Sequence, residues 1–155
     1  MASNERVALC IATFYEDLAE QLESSAREAL AEAGIEEIDR FEVPGAFELP
    51  LIARFAAESG RFKAIIALGA VIRGETDHYD YVCGEAARGI QSVQLATGVP
   101  IGFGVLTVDS REQALARVRG GSKRDTGAHA VEAALAALKV KNELSERPVK
   151  IGFSG

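Results

Sequence analysis

Apolar residues come in short unbroken runs, separated by stretches where they recur every third or fourth position. Val7 to Ala12 (VALCIA) is apolar almost throughout, the pattern of a strand buried on both faces. Leu18, Leu22, Ala26 and Leu30 then recur every fourth residue, with Ala29 and Ala33 beside them. That spacing predicts an amphipathic helix of roughly 18 residues, stopped by Gly34. Ile35 to Val43 alternates weakly and predicts a second strand, broken by Pro44-Gly45. Ala46 to Ser59 predicts a helix with Leu51, Ile52 and Phe55 on one face, ended by Gly60. Pro50 lies inside it and has no N–H to give, so the first turn is kinked or the helix starts later.

Lys63 to Ile72 (KAIIALGAVI) is the clearest buried strand, followed by a polar loop from Arg73 to Asp77. Tyr79 to Ala96 reads as a helix despite Gly84 and Gly89. Pro100 to Val108 is a fourth strand. Ser110 and Gln113 have the spacing of a capping box, opening a helix through Arg117. Gly120 to Gly127 is a loop, His129 to Leu144 a last helix burying Val131, Leu135 and Leu138, and Ser145 to Gly155 a tail. Strands and helices alternate, which predicts parallel strands joined by right-handed crossovers. The expected fold is a three-layer α/β/α sandwich with a four-stranded parallel sheet, similar to flavodoxin-like folds. Residues 1–155 read as a single domain, with 144–155 as a C-terminal tail.

Charge and composition narrow the function. The formal net charge is −6, which argues against a nucleic-acid partner, because phosphate backbones select basic faces. No apolar run reaches membrane-spanning length, and Met1 to Arg6 is short and polar rather than a signal peptide. The expected compartment is the cytoplasm. Cys10 and Cys83 lie far apart with no CxxC spacing and read as reduced, packed thiols. His78 and His129 have no metal-ligand spacing, so no metal is expected.

In open parallel sheets, ligands gather at the carboxyl ends of the strands. Here those ends carry Thr13-Phe14-Tyr15, then Pro44 to Glu48, then Gly69 to His78, with Phe103 in the fourth strand. Aromatic, carboxylate, hydroxyl and imidazole groups converge on one edge, the composition of an apolar slot with a few polar anchors. Phe14 is either a core aromatic or a stacking surface for a planar heterocycle, and Phe47 and Phe103 face the same choice. Glu48 is either a carboxylate favoured by a helix dipole or an acceptor for a polyol or amine. His78 is either a solvated loop histidine or a group that passes protons at neutral pH. His129 reads as a surface or packing residue. Gly74-Glu75-Thr76 offers N–H groups and a hydroxyl to an anion, yet matches neither a Walker A loop nor GxGxxG. Arg117, with Arg119, Lys123 and Arg124 close behind, is either a helix C-terminal charge or a bidentate grip on phosphate.

Four segments together resemble one family, 6,7-dimethyl-8-ribityllumazine synthase: VPGAFELP ending at Pro50, IALGAVIRGETDHYDYV from Ile66 to Val82, FGVLT from Phe103, and EQALAR ending at Arg117. The resemblance runs from Arg6 to Leu144, in order and spacing. It implies condensation of 5-amino-6-(D-ribitylamino)uracil with 3,4-dihydroxy-2-butanone 4-phosphate, giving the lumazine, phosphate and water, with no metal or redox cofactor. It implies that Phe14 stacks on the heterocycle, and that Ala46, Phe47 and Glu48 hold the ribitylaminouracil. Ala70, Val71 and Ile72 would line the same slot. Glu75 and Thr76 would take the phosphate and His78 would move protons. Phe103 and Arg117 would come from a neighbouring subunit of a homopentamer, with Arg117 on the phosphate.

The chain departs from the family pattern at three places. Thr13 and Tyr15 flank Phe14 where Arg and Asn are usual, and Thr126 precedes Gly127 where a lysine is common. Lys123 or Arg124 are the nearest substitutes for that cation. These departures define the alternative reading, a non-catalytic lumazine- or flavin-binding or shell-forming relative. Pentamers of the family also occur as decamers or sixty-subunit shells.

Overall fold

The computed structural model describes residues 3–146; most of the tail read from the sequence lies outside them. β1 (Ser3–Ala12), β2 (Ile35–Val43), β3 (Ala64–Ile72) and β4 (Ile101–Val108) form one sheet in the order β2-β1-β3-β4. All three pairings are parallel. β1 starts earlier than its apolar run, with a register irregularity between Ser3 and Arg6. Successive side chains point to opposite faces, so the runs in β1 and β3 feed two cores. Val7, Leu9, Ile66 and Leu68 pack with α1 (Glu16–Glu32) and α5 (Thr126–Ser145), while Ala8, Cys10, Ile65 and Ala67 pack with α2 (Leu49–Glu58) and α3 (His78–Thr97). The short α4 (Arg111–Ala116) adds Ala114 to the first core. This is the expected α/β/α sandwich.

Most element boundaries agree with the hydrophobic pattern. Gly34 stops α1 with φ 80°, a left-handed conformation that suits glycine. Ser110 caps α4 by accepting from Gln113 N at 3.2 Å. The Gln113 side chain reaches back one residue further than a capping box requires, accepting from Asp109 N at 2.8 Å. Arg117 caps α4 rather than belonging to it.

Of the two outcomes Pro50 allowed, the later start is the one found: residues Ala46–Glu48 form a 3-10 turn, and α2 begins at Leu49, which leaves Pro50 in the first turn where its missing N–H costs nothing. Two expectations need correction. The buried face of α2 is Leu49, Ala53, Ala56 and Ala57, and Leu51 and Phe55 are exposed. Small side chains let α2 lie close to the sheet, and the large ones are turned outward. The last helix also begins at Thr126 rather than His129, capped by Asp125. Gly127 sits within it because α1 passes so close that a Cβ there would meet Leu22 O at 2.5 Å.

Cys10 is wholly buried in β1, and burial pushes its thiol up to about 12. Burial also raises the half-buried Cys83. At pH 8 the Cys10 thiol is about one part in ten thousand thiolate, the reactive form. The native protein is therefore expected to show one slowly reacting thiol to Ellman's reagent, Cys83, and two once denatured. Two fast native thiols would contradict this packing.

Candidate active site

A cleft of about 500 Å³ opens at the carboxyl edge of the sheet. Parallel topology puts the ends of β1, β2 and β3 side by side there, so segments far apart in sequence meet. Phe14 and Tyr15 follow β1, Gly45 to Glu48 follow β2, Ala70 to Ile72 end β3, and His78, Tyr81 and Val82 open α3; all line the cleft. The wall from β3 is apolar, whereas Glu48 and His78 bring polar groups.

Phe14 is 73% exposed, so the core-aromatic reading fails. Its ring meets Tyr15 edge-on, with centroids 4.9 Å apart and planes at 81°, a favourable aromatic geometry. Tyr15 itself packs partly against the first core. The residues that differ from the family pattern thus have local roles: Thr13 donates to Val43 O at 3.4 Å, and Tyr15 holds the exposed ring of Phe14. Glu48 turns back on its own loop, its Oε1 accepting from Gly45 N at 3.0 Å. This fixes the 3-10 turn and leaves Oε2 without a hydrogen-bond partner among the described residues. Phe47, 56% exposed, stands on the same turn.

Four of the residues singled out from the sequence stand apart from this cleft. Glu75 and Thr76 occupy the exposed loop before α3, where Thr76 Oγ1 accepts from His78 N at 3.3 Å. That loop is tethered through Arg73, which bonds Asp109 at 2.8 Å and lies 4.2 Å over the ring of Tyr79. Phe103 points out from β4, partly exposed. Arg117 donates to Gln113 O at 2.9 Å and borders a separate concavity of about 400 Å³ with Lys123, Arg124 and Thr126.

The sequence reading did not single out Tyr81 and Val82 as lining residues. Helical spacing was the available signal: Tyr81 lies three residues after His78, on the same face of α3. Another cavity, of about 520 Å³, lies between β2 and α2 around Phe41, Ile52 and Phe55. None of the loops that follow β1, β2 or β3 lines it, and its Arg40 and Glu42 already pair with each other at 3.1 Å. The strand-end cleft is therefore the better candidate. Among the described residues, no three His, Cys, Asp or Glu side chains converge as metal ligands.

The family model for 6,7-dimethyl-8-ribityllumazine synthase matches residues 4–143. A curated protein named 6,7-dimethyl-8-ribityllumazine synthase, from Kineococcus radiotolerans, is 50% identical over 134 residues, covering 86% of this chain and 83% of its own. The match spans every strand of the sheet and every loop that builds the cleft, so fold, site and similarity coincide, and the chain belongs to the 6,7-dimethyl-8-ribityllumazine synthase family.

Proposed function

We propose that the protein joins 5-amino-6-(D-ribitylamino)uracil to 3,4-dihydroxy-2-butanone 4-phosphate, releasing 6,7-dimethyl-8-ribityllumazine, phosphate and water. The observation that carries this reading is the cleft itself. An exposed, edge-braced aromatic ring lines one cleft with an apolar strand end, a carboxylate and an imidazole. A planar pyrimidine stacks on Phe14 against Ala70, Val71 and Ile72. The ribityl hydroxyls and ring N–H groups bond to Glu48 and to the backbone of Ala46 and Phe47. Imine formation, phosphate loss and ring closure all move protons, and His78, in the cleft lining, is the side chain placed to carry them. Alignment of the two substrates supplies the larger share of the acceleration.

Glu75 and Thr76 take the phosphate from one side. Phe103 and Arg117 act on the cleft of the next subunit in a homopentamer. Their separation from the cleft of their own chain supports this, as does the exposure of Phe103. The reaction belongs in the cytoplasm, a compartment that suits the free Cys10 and Cys83. Residues 1–155 act as one such domain.

Lumazine formation, followed by absorbance with both substrates saturating, tests the reading. Wild type is expected to turn over. His78→Ala is expected to lose about tenfold in kcat with little change in either KM, because water and substrate groups take over part of the proton transfer. An unchanged kcat would assign those transfers elsewhere. Failure of folded, oligomeric wild type to form product would overturn the enzyme reading, and riboflavin titration would then test a non-catalytic binder.

A further inference from the structure

Nearly all arginines of the described residues are used up in ion pairs. Nine of them hold carboxylates within 4.0 Å, from Arg6 on β1 to Arg119 after α4. The two that hold none, Arg117 and Arg124, border the same concavity, and Lys123 joins them, with no acidic partner among the described residues. A chain of net charge −6 has carboxylates to spare. Leaving three cations together uncompensated costs repulsion, which a bound anion would relieve.

The concavity is built by backbone bonds. Lys123 N donates to Ala116 O at 2.7 Å and Thr126 N to Arg117 O at 2.9 Å, folding the loop back onto the end of α4. The loop's one carboxylate, Asp125, is engaged at the start of α5, its Oδ1 accepting from Ala128 N at 3.5 Å. Thr126 adds a hydroxyl at the first turn of α5, a helix of 20 residues whose positive end faces the same side.

We propose that Arg124, with Lys123, completes a phosphate-monoester seat around Arg117, and that Arg124 determines affinity for the phosphorylated substrate. The inference rests on the reaction proposed above, and adds Lys123 and Arg124 to its phosphate contacts. Arg117 gives a directed hydrogen-bonding grip, while Lys123 and Arg124 neutralise the remaining charge of a dianion.

Steady-state kinetics on wild type, Arg124→Ala, Arg124→Lys and Arg124→Glu test it, with inorganic phosphate as competing inhibitor. Arg124 is exposed and holds no carboxylate among the described residues, so the variants are expected to fold and assemble like wild type. Arg124→Ala should raise KM for the butanone phosphate about tenfold, the loss of a charge-assisted bond. KM for the ribitylaminouracil and kcat should change less than about twofold, and Arg124→Lys should recover most of the affinity. Arg124→Glu should be worse than Arg124→Ala. Equal KM values across the series would overturn the proposal. So would a change confined to inhibition by inorganic phosphate, which would make the seat one for free phosphate alone. If wild type itself made no lumazine, the reaction would be wrong. Calorimetric titration with inorganic phosphate would then decide the seat: binding lost in Arg124→Ala supports it, and no binding to wild type overturns it.

Discussion

Gly102→Ala is expected to lower the thermal midpoint by about 10 °C, the consequence of roughly 3 kcal/mol of lost stability in a domain of this size. β4 crosses α5 at Gly102 so closely that an added Cβ would sit 2.1 Å from Ala130 O. The obstacle is helix backbone in the second turn of α5, with no flexible side chain to swing aside. Accommodation therefore means lifting α5 off the sheet, which loosens the packing of Val131, Ala134 and Leu138 in the first core. Gly84 gives the contrast. It lies in α3, and a Cβ there meets nothing within 4 Å, so Gly84→Ala should raise stability by about 0.5–1 kcal/mol through helix propensity. Thermal unfolding of both variants by circular dichroism makes the comparison. A Gly102→Ala midpoint equal to wild type would mean that β4 and α5 do not approach as described.

Arg117→Ala is expected to raise KM for the phosphorylated substrate about 100-fold while leaving KM for the ribitylaminouracil near wild type. A guanidinium on a phosphate dianion contributes about 3 kcal/mol through paired charge-assisted bonds, and every 1.4 kcal/mol is a factor of ten. Subunit mixing then asks whose cleft it serves. Phe14→Ala alters the cleft, and Arg117→Ala removes the proposed reach into a neighbour. If each site takes Phe14 from one subunit and Arg117 from the next, co-assembly of the two variants in equal amounts should restore about a quarter of wild-type activity, since random neighbours leave that share of sites intact. Separately assembled variants mixed afterwards should show no gain. Absence of recovery in true mixed oligomers would place Arg117 and Phe14 of one chain on the same site.

Much of the site was legible because parallel topology is simple to read from order. Once the apolar runs of β1 and β3 are recognised as buried parallel strands, the segments that follow each strand must gather at one edge. That places Phe14, Ala46 to Glu48, Ala70 to Ile72 and His78 together without knowledge of any contact, and all of them line the cleft. The family resemblance added roles to these positions, which geometry at the level of spacing does not supply. Tyr81 and Val82 escaped because a helix is read first for its buried face, and the first turn of α3 presents residues to the cleft as well.

What the sequence determined by itself was the kind of each element and the direction of its ends, because period and punctuation are properties of a segment and its immediate neighbours. It decided that β1 and β3 are buried on both faces, that Gly34 ends α1, and which loops share an edge. The tertiary structure alone decided what lies opposite. It turned Ala53 and Ala56 of α2 inward and Phe55 outward, and drew Gly127 into α5 against Leu22. It also paired nine arginines with carboxylates and left Arg117 and Arg124 bordering one concavity. Apolar periodicity says that a face is to be buried, but the distance to the next backbone and the nearest countercharge are set by segments dozens of residues away, so only the folded chain selects them.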